Sequence, residues 1–204
     1  MILRVRPRWP ALAAVLYALL TAAVLAGWLR APDNAVADAL RSFGAAHPTL
    51  IDTVKILTDV AATEPFLAVG LTLGALLRVR GKRRAAYLTL ATTVLVPILW
   101  SLSHLLMTHT RPPDAFIRLT SNGFPSGHTA NAAAAAILAV LVLTTHRRVL
   151  VRAVAVAFAV LVGLSRLLLL AHYPSQVLGG FLLAAAVVPA LAVVINRVAE
   201  PAEA

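Results

Sequence analysis

Six stretches of mostly apolar sequence, separated by short polar breaks, limit what this chain can fold into. They run approximately over Pro10–Leu29, Ala61–Leu77, Ala85–Leu106, Thr129–Thr145, Ala153–Ala171 and Gln176–Ile195. About 20 apolar residues in a helix cross the hydrocarbon core of a bilayer, where no water can satisfy a backbone N–H or C=O. Helices meet that demand within each segment. With 204 residues, 60% of them hydrophobic, and a mean hydropathy of +0.87, the chain is too apolar for a soluble domain. The expected fold is all-α: one polytopic membrane domain over residues 1–204, six transmembrane helices in one bundle. The first stretch follows Arg4, Arg6 and Arg8 as a signal peptide would. Its apolar run is longer than a signal h-region, so it reads as a span.

Lysine and arginine placement sets the orientation, because basic residues concentrate on the cytoplasmic side of membrane proteins. Arg4, Arg6 and Arg8 precede span one, Arg78, Arg80, Lys82, Arg83 and Arg84 join spans two and three, Arg147, Arg148 and Arg152 join spans four and five, and Arg197 follows span six. With six spans these twelve fall on one side. Arg30, Arg41, Lys55, Arg111, Arg118 and Arg166 are the other six. Both termini are therefore expected in the cytoplasm. The basic clusters read as topology signals and contacts to anionic lipid. They flank spans and no soluble module carries them, so no nucleic-acid partner is expected. The absence of cysteine excludes disulfides and thiolate metal sites, and no G-x-G-x-x-G, Walker A or H-E-x-x-H occurs.

Between spans one and two, Arg30–Val60 carries apolar residues at Val36, Leu40 and Phe43 and again at Leu50, Ile51, Val54, Ile56 and Leu57, punctuated by Pro32, Gly44 and Pro48. That pattern suits short amphipathic helices at the interface. Such a segment either covers a site or lines a path for lipid, or it is a surface loop with helical turns. Gly179-Gly180 and Ala132–Ala136 are small enough for helices to approach closely.

Three polar elements, distant in sequence, come to one membrane face in this topology. Arg111-Pro112 follows span three, Pro125-Ser126-Gly127-His128 opens span four, and Ser165-Arg166 with His172 ends span five. Imidazole is a nucleophile or proton carrier near neutral pH, and guanidinium groups and a Ser-Gly turn at a helix N-terminus are oxyanion ligands. An arginine among Leu164, Leu167 and Leu168 is costly in a span and marks function by default.

Taken together, these residues resemble the type 2 phosphatidic acid phosphatase family of integral-membrane lipid phosphatases, whose pattern is K-x6-R-P, P-S-G-H and S-R-x5-H-x3-D. The core motif region is 104–176. Arg111 and Pro112, residues 125–128, and Ser165, Arg166 and His172 match; His104 stands in the lysine position and Gln176 in the aspartate position. The resemblance implies that His172 attacks phosphorus to form a phosphohistidine and that His128 serves as general acid and base. It also implies that Arg111 and Arg166, with backbone N–H groups of Ser126 and Gly127, hold the phosphate. No cofactor and no metal belong to this scheme. His104 either donates to phosphate or is a buried structural histidine.

Gln176 would orient His172 through its carbonyl oxygen, without the charge an aspartate supplies. Three outcomes stay open: a slower enzyme, an enzyme whose carboxylate lies elsewhere, or a lipid-phosphate binder with little turnover. His109 and Asp114 lie near enough in sequence to compensate, whereas His47 and His146 look incidental, His146 on the cytoplasmic side. The expected function is hydrolysis of a membrane lipid phosphate or diphosphate at the extracytoplasmic face of a bacterial cell membrane, with the bilayer itself as the other partner. A transporter is a weaker alternative, since no repeated broken-helix pair is visible.

Overall fold

The computed structural model describes residues 5–119, 121–143 and 148–199; Arg4, Thr145, His146 and Arg147 lie outside them. The described residues are helical with no strand. In chain order they form α1 (Arg8–Leu25), α2 (Arg30–Ala46), α3 (Pro48–Thr58), a 3₁₀ turn (Asp59–Ala61), α4 (Thr63–Val79), α5 (Arg83–Leu106), α6 (Gly127–Val142), α7 (Arg148–Leu168) and α8 (Pro174–Ala199).

Five helical stretches are long and apolar enough to cross a membrane: α1, the α3–α4 run, α5, α7 and α8. The remaining apolar helix, α6, has 16 residues and is about 24 Å long. That is shorter than the hydrocarbon core of about 30 Å. It is also the central helix, packed against α5, α7 and α8, so neighbouring helices rather than lipid enclose it. Several boundaries differ from the sequence reading, and two of the differences have a local cause. The first helix stops at Leu25 instead of Leu29, because Gly27 takes a positive φ of 74° and closes the helix. The fifth apolar helix stops at Leu168 instead of Ala171, where Leu170 does the same at φ 51°.

Small residues set the centre. Ala130, Ala132, Ala133, Ala134 and Ala136 of α6 are buried, and α8 approaches its first turn at Gly180. A Cβ on Gly180 would lie 2.6 Å from the Ser126 carbonyl oxygen. The outer surface is apolar, with Val69, Leu105 and Leu161 all more than 60% exposed, as lipid-facing side chains are.

The segment between α1 and α4 covers the α7–α8 turn. On α2, Ala37 and Leu40 pack on Leu170 and Tyr173. On α3, Ile51 and Val54 pack on Leu169 and Ala171. The segment is thus helical and packed on that turn, not a surface loop with helical turns. At 17 residues, α2 is longer than the short helices expected. α5 starts beside the basic Arg78–Arg84 turn and ends at the cover, so those two ends lie about 36 Å apart.

Candidate active site

The S-R-x5-H spacing follows from how α7 ends. The Ala171 N–H bonds the Arg166 carbonyl at 3.0 Å and the Leu170 N–H bonds the Leu167 carbonyl at 2.9 Å. This is a Schellman turn with Leu170 in the left-handed position. The same turn closes α1 at Gly27 and α4 at Gly81, where glycine meets no steric penalty. A leucine there costs about 1–3 kcal/mol in backbone strain. Burial of its side chain against Ala37 and Tyr173 offsets that cost. The His172 N–H also reaches the Arg166 carbonyl, at 3.3 Å. The backbone of Arg166 thus fixes where His172 stands.

His172 is buried, and obligatory partners decide its tautomer. Nδ1 lies 3.0 Å from the Gly123 carbonyl and 3.0 Å from Gln176 Oε1. A carbonyl only accepts, so Nδ1 carries the proton and Nε2 keeps the lone pair. The Gln176 amide is itself oriented by groups that have one role each. Its Oε1 accepts from the Tyr173 N–H at 3.1 Å, and its Nε2 donates to the Thr110 carbonyl at 2.7 Å. The second N–H meets His109 Nδ1 at 2.7 Å. Gln176 is wholly enclosed, with both amide atoms satisfied.

The Pro125–His128 turn is tied to the same residue. Ser126 N–H donates to the Gln176 carbonyl at 2.9 Å, and Ser126 Oγ caps α6 by accepting from the Thr129 N–H and hydroxyl. The Ser126 amide, expected to face a phosphate, is therefore engaged with α8. His104 donates from Nε2 to the Pro125 carbonyl at 2.8 Å and lies edge-on to Trp100. That bond holds the turn, and His104 also lines a cavity with Arg111. Gly123 has no room for a side chain, since a Cβ would collide with the Gln176 amide.

Arg111 is a clamp as well as a cation. Its Nε donates to the Ser121 carbonyl, Nη2 to Ser121 Oγ and the Asn122 carbonyl, and Nη1 to the Ala171 carbonyl at 2.7 Å and His172 Nε2 at 2.9 Å. All five N–H groups are engaged, one of them by His172 Nε2. Arg166 is buried and less occupied. Nη1 donates to Thr58 Oγ1 at 3.1 Å, Thr58 bonds Ser165 Oγ at 2.8 Å, and Arg166 Nε has no partner. His128 Nε2 is likewise buried and unpartnered, 4.0 Å from Asp59 Oδ1.

The electrostatics place these groups together. Burial holds the His172 imidazole well below its usual range, and the charges of Arg111 and Arg166 push the same way, with a smaller contribution from His128. Burial lowers Arg111 to about 10, which leaves it charged at neutral pH. Burial also lowers His109, opposed by the charge of Asp33.

Sequence reading left out Gly123, Thr58, Asp59 and Asp33. Asp33 accepts from Ser175 N–H and Oγ at the start of α8 and is the only buried carboxylate among the described residues. Asp114, named as a compensating acid, is exposed and lies 4.0 Å from Arg41. Gly123, two residues before Pro125, carried a usable signal: glycine beside a functional turn often marks close packing.

Residues 85–199 match the family model described as the PAP2 superfamily. The fold is similar to that of a solved protein titled the first transmembrane PAP2 type phosphatidylglycerolphosphate phosphatase, from Bacillus subtilis. The similarity covers 95% of this chain and 96% of that one, with a TM-score of 0.79 and 26% identity. No curated protein matches this chain. The family match takes in more than half of the chain and every residue from His104 to Gln176, so this chain belongs to the PAP2 superfamily.

Proposed function

We propose that this protein is an integral-membrane lipid phosphate phosphohydrolase working through a phosphohistidine. The observation that carries this reading is the pairing of an imidazole whose Nδ1–H is doubly held with two buried, unpartnered groups, Arg166 Nε and His128 Nε2. A phosphate oxygen satisfies the first of these, and a leaving-group oxygen the second.

In this mechanism the lone pair on His172 Nε2 attacks phosphorus after the phosphate takes over the Arg111 Nη1 contact. The phosphorus–oxygen bond to the lipid breaks, and His128 gives its proton to the departing oxygen. His172 becomes cationic as the N–P bond forms, and the Gly123 and Gln176 oxygens hold its Nδ1–H. His128 then takes a proton from water, the hydroxyl attacks phosphorus, and the N–P bond breaks. Arg166 and Arg111 balance charge on the equatorial oxygens, and the α6 N-terminus adds its dipole at Gly127. No metal enters this scheme.

The site end of α5 lies opposite the basic Arg78–Arg84 turn. By the positive-inside rule that supports six spans, both termini in the cytoplasm, and a site facing outward from a bacterial cell membrane. An apolar cavity of about 250 Å³ between α4, α6 and α7 is lined by Phe66, Leu73, Ala135 and Phe158, with Asn131 one turn below His128. It suits an acyl or prenyl chain. The substrate class is phosphatidylglycerol phosphate, phosphatidic acid or a polyprenyl diphosphate; the Bacillus subtilis relative is a phosphatidylglycerolphosphate phosphatase.

Purified protein in detergent, offered these three lipids, is expected to release inorganic phosphate from at least one. No release from any of them by folded protein contradicts the reading. It then favours the second one, a lipid-phosphate binder, which rests on the missing charge at Gln176.

A further inference from the structure

Where a carboxylate would both orient a nucleophilic imidazole and balance its charge, this chain has an amide, and the surroundings of that amide are built for it. On one side of Gln176 stand two donors, the Tyr173 N–H and His172 Nδ1–H, both directed at Oε1. On the other side stand two acceptors, the Thr110 carbonyl and His109 Nδ1, both 2.7 Å from Nε2. An amide has one accepting end and one donating end, so it fits this frame in one orientation only. The His109 ring is held edge-on between Phe124 and Tyr173, and its backbone carbonyl accepts from the Gly123 N–H at 2.8 Å. Gly123 in turn packs directly on the amide. Asp33 is already committed to Ser175 and offers no alternative carboxylate.

We propose that His109 is a positioning residue: with the Thr110 carbonyl it fixes the Gln176 amide so that Oε1 receives the His172 proton, and a carboxylate at position 176 disables the site instead of improving it. This rests on the phosphatase reading for its kinetic readout but not for its spectroscopic one. Gln176→Glu keeps the side-chain length, yet sets a carboxylate oxygen against the Thr110 carbonyl and the bare His109 Nδ1. Gln176→Asp is one methylene shorter and cannot reach both sides. Two histidines joined through one amide must hold opposite tautomers, His172 protonated at Nδ1 and His109 at Nε2.

Full-length protein in detergent, labelled with ¹⁵N-histidine, is expected to show that opposite pair among its six histidines. Gln176→Glu is expected to move His109 to an Nδ1-protonated form and to lower kcat about 10²-fold with KM nearly unchanged. His109→Asn, which keeps an acceptor near the Nδ1 position, is expected to retain more activity than His109→Leu. His109 protonated at Nδ1 in the wild type, or Gln176→Glu as active as the wild type or more so, overturns the proposal. Absence of phosphate release by the wild type, with the tautomer pair present, overturns the phosphatase reading alone.

Discussion

His172 and His128 stand at two ends of one site and are held in opposite ways. Around His172 the ring nitrogens are occupied: Nδ1 by Gly123 and Gln176, Nε2 by Arg111. Its backbone is fixed by a Schellman turn that tolerates a strained leucine. His128 has Nε2 buried without a partner, one residue into a helix whose N-cap is otherwise complete. A buried polar atom left unpaired costs about 1–3 kcal/mol. The difference teaches which jobs the two can do. A nucleophile needs one nitrogen fixed as a donor so that the other keeps its lone pair. A proton carrier needs a nitrogen that gains and loses a partner in turn.

That contrast can be broken from either side. The largest effect is expected from His172→Ala, which removes the attacking nitrogen and should lower phosphate release about 10⁴-fold or more. Arg166→Lys should come next. It keeps a charge but loses the planar fork bound to Thr58, and a loss of about 10²–10³ in kcat is expected in the same assay. His128→Asn should lower kcat about 10²–10⁴-fold while leaving phosphoenzyme formation measurable with substrates that have good leaving groups. Equal losses from His128→Asn on good and poor leaving groups would count against a separate acid role. Gly123→Ala forces the Gln176 amide aside, and a stability loss of about 1–3 kcal/mol by denaturation in detergent is expected.

The smallest effect is on pH dependence. In the proposed mechanism the neutral form of His172 attacks, and burial with two arginines favours that form, so the acid limb of kcat/KM should lie below about 6.5. Arg111→Gln removes one of those charges and should move the limb upward.

Much of this was legible in the sequence. Six apolar stretches gave the helical class, and helix–turn spacing brought Arg111, His128, Arg166 and His172 to one end of the bundle. What sequence could not show was how those groups are partnered. Arg111 looked like a free phosphate ligand, but its five N–H groups are engaged, three by the backbone carbonyls of Ser121, Asn122 and Ala171, one by Ser121 Oγ and one by His172 Nε2. Ser126 offered an amide that α8 takes up. Gln176 read as a weakened aspartate because its partners, Thr110 and His109, lie more than 60 residues away in sequence. Helix ends moved for a local reason, a left-handed residue at Gly27 or Leu170, and a leucine gives no sign of that.

The most direct test of the account is the site of the phosphoenzyme. Protein carrying His128→Asn, mixed with an aryl phosphate, whose leaving group needs no proton, and quenched in base, should be analysed by peptide mass spectrometry. The account predicts an acid-labile, base-stable phosphate on His172. Phosphate on any other residue, or turnover by the wild type that persists after His172→Ala, would contradict it.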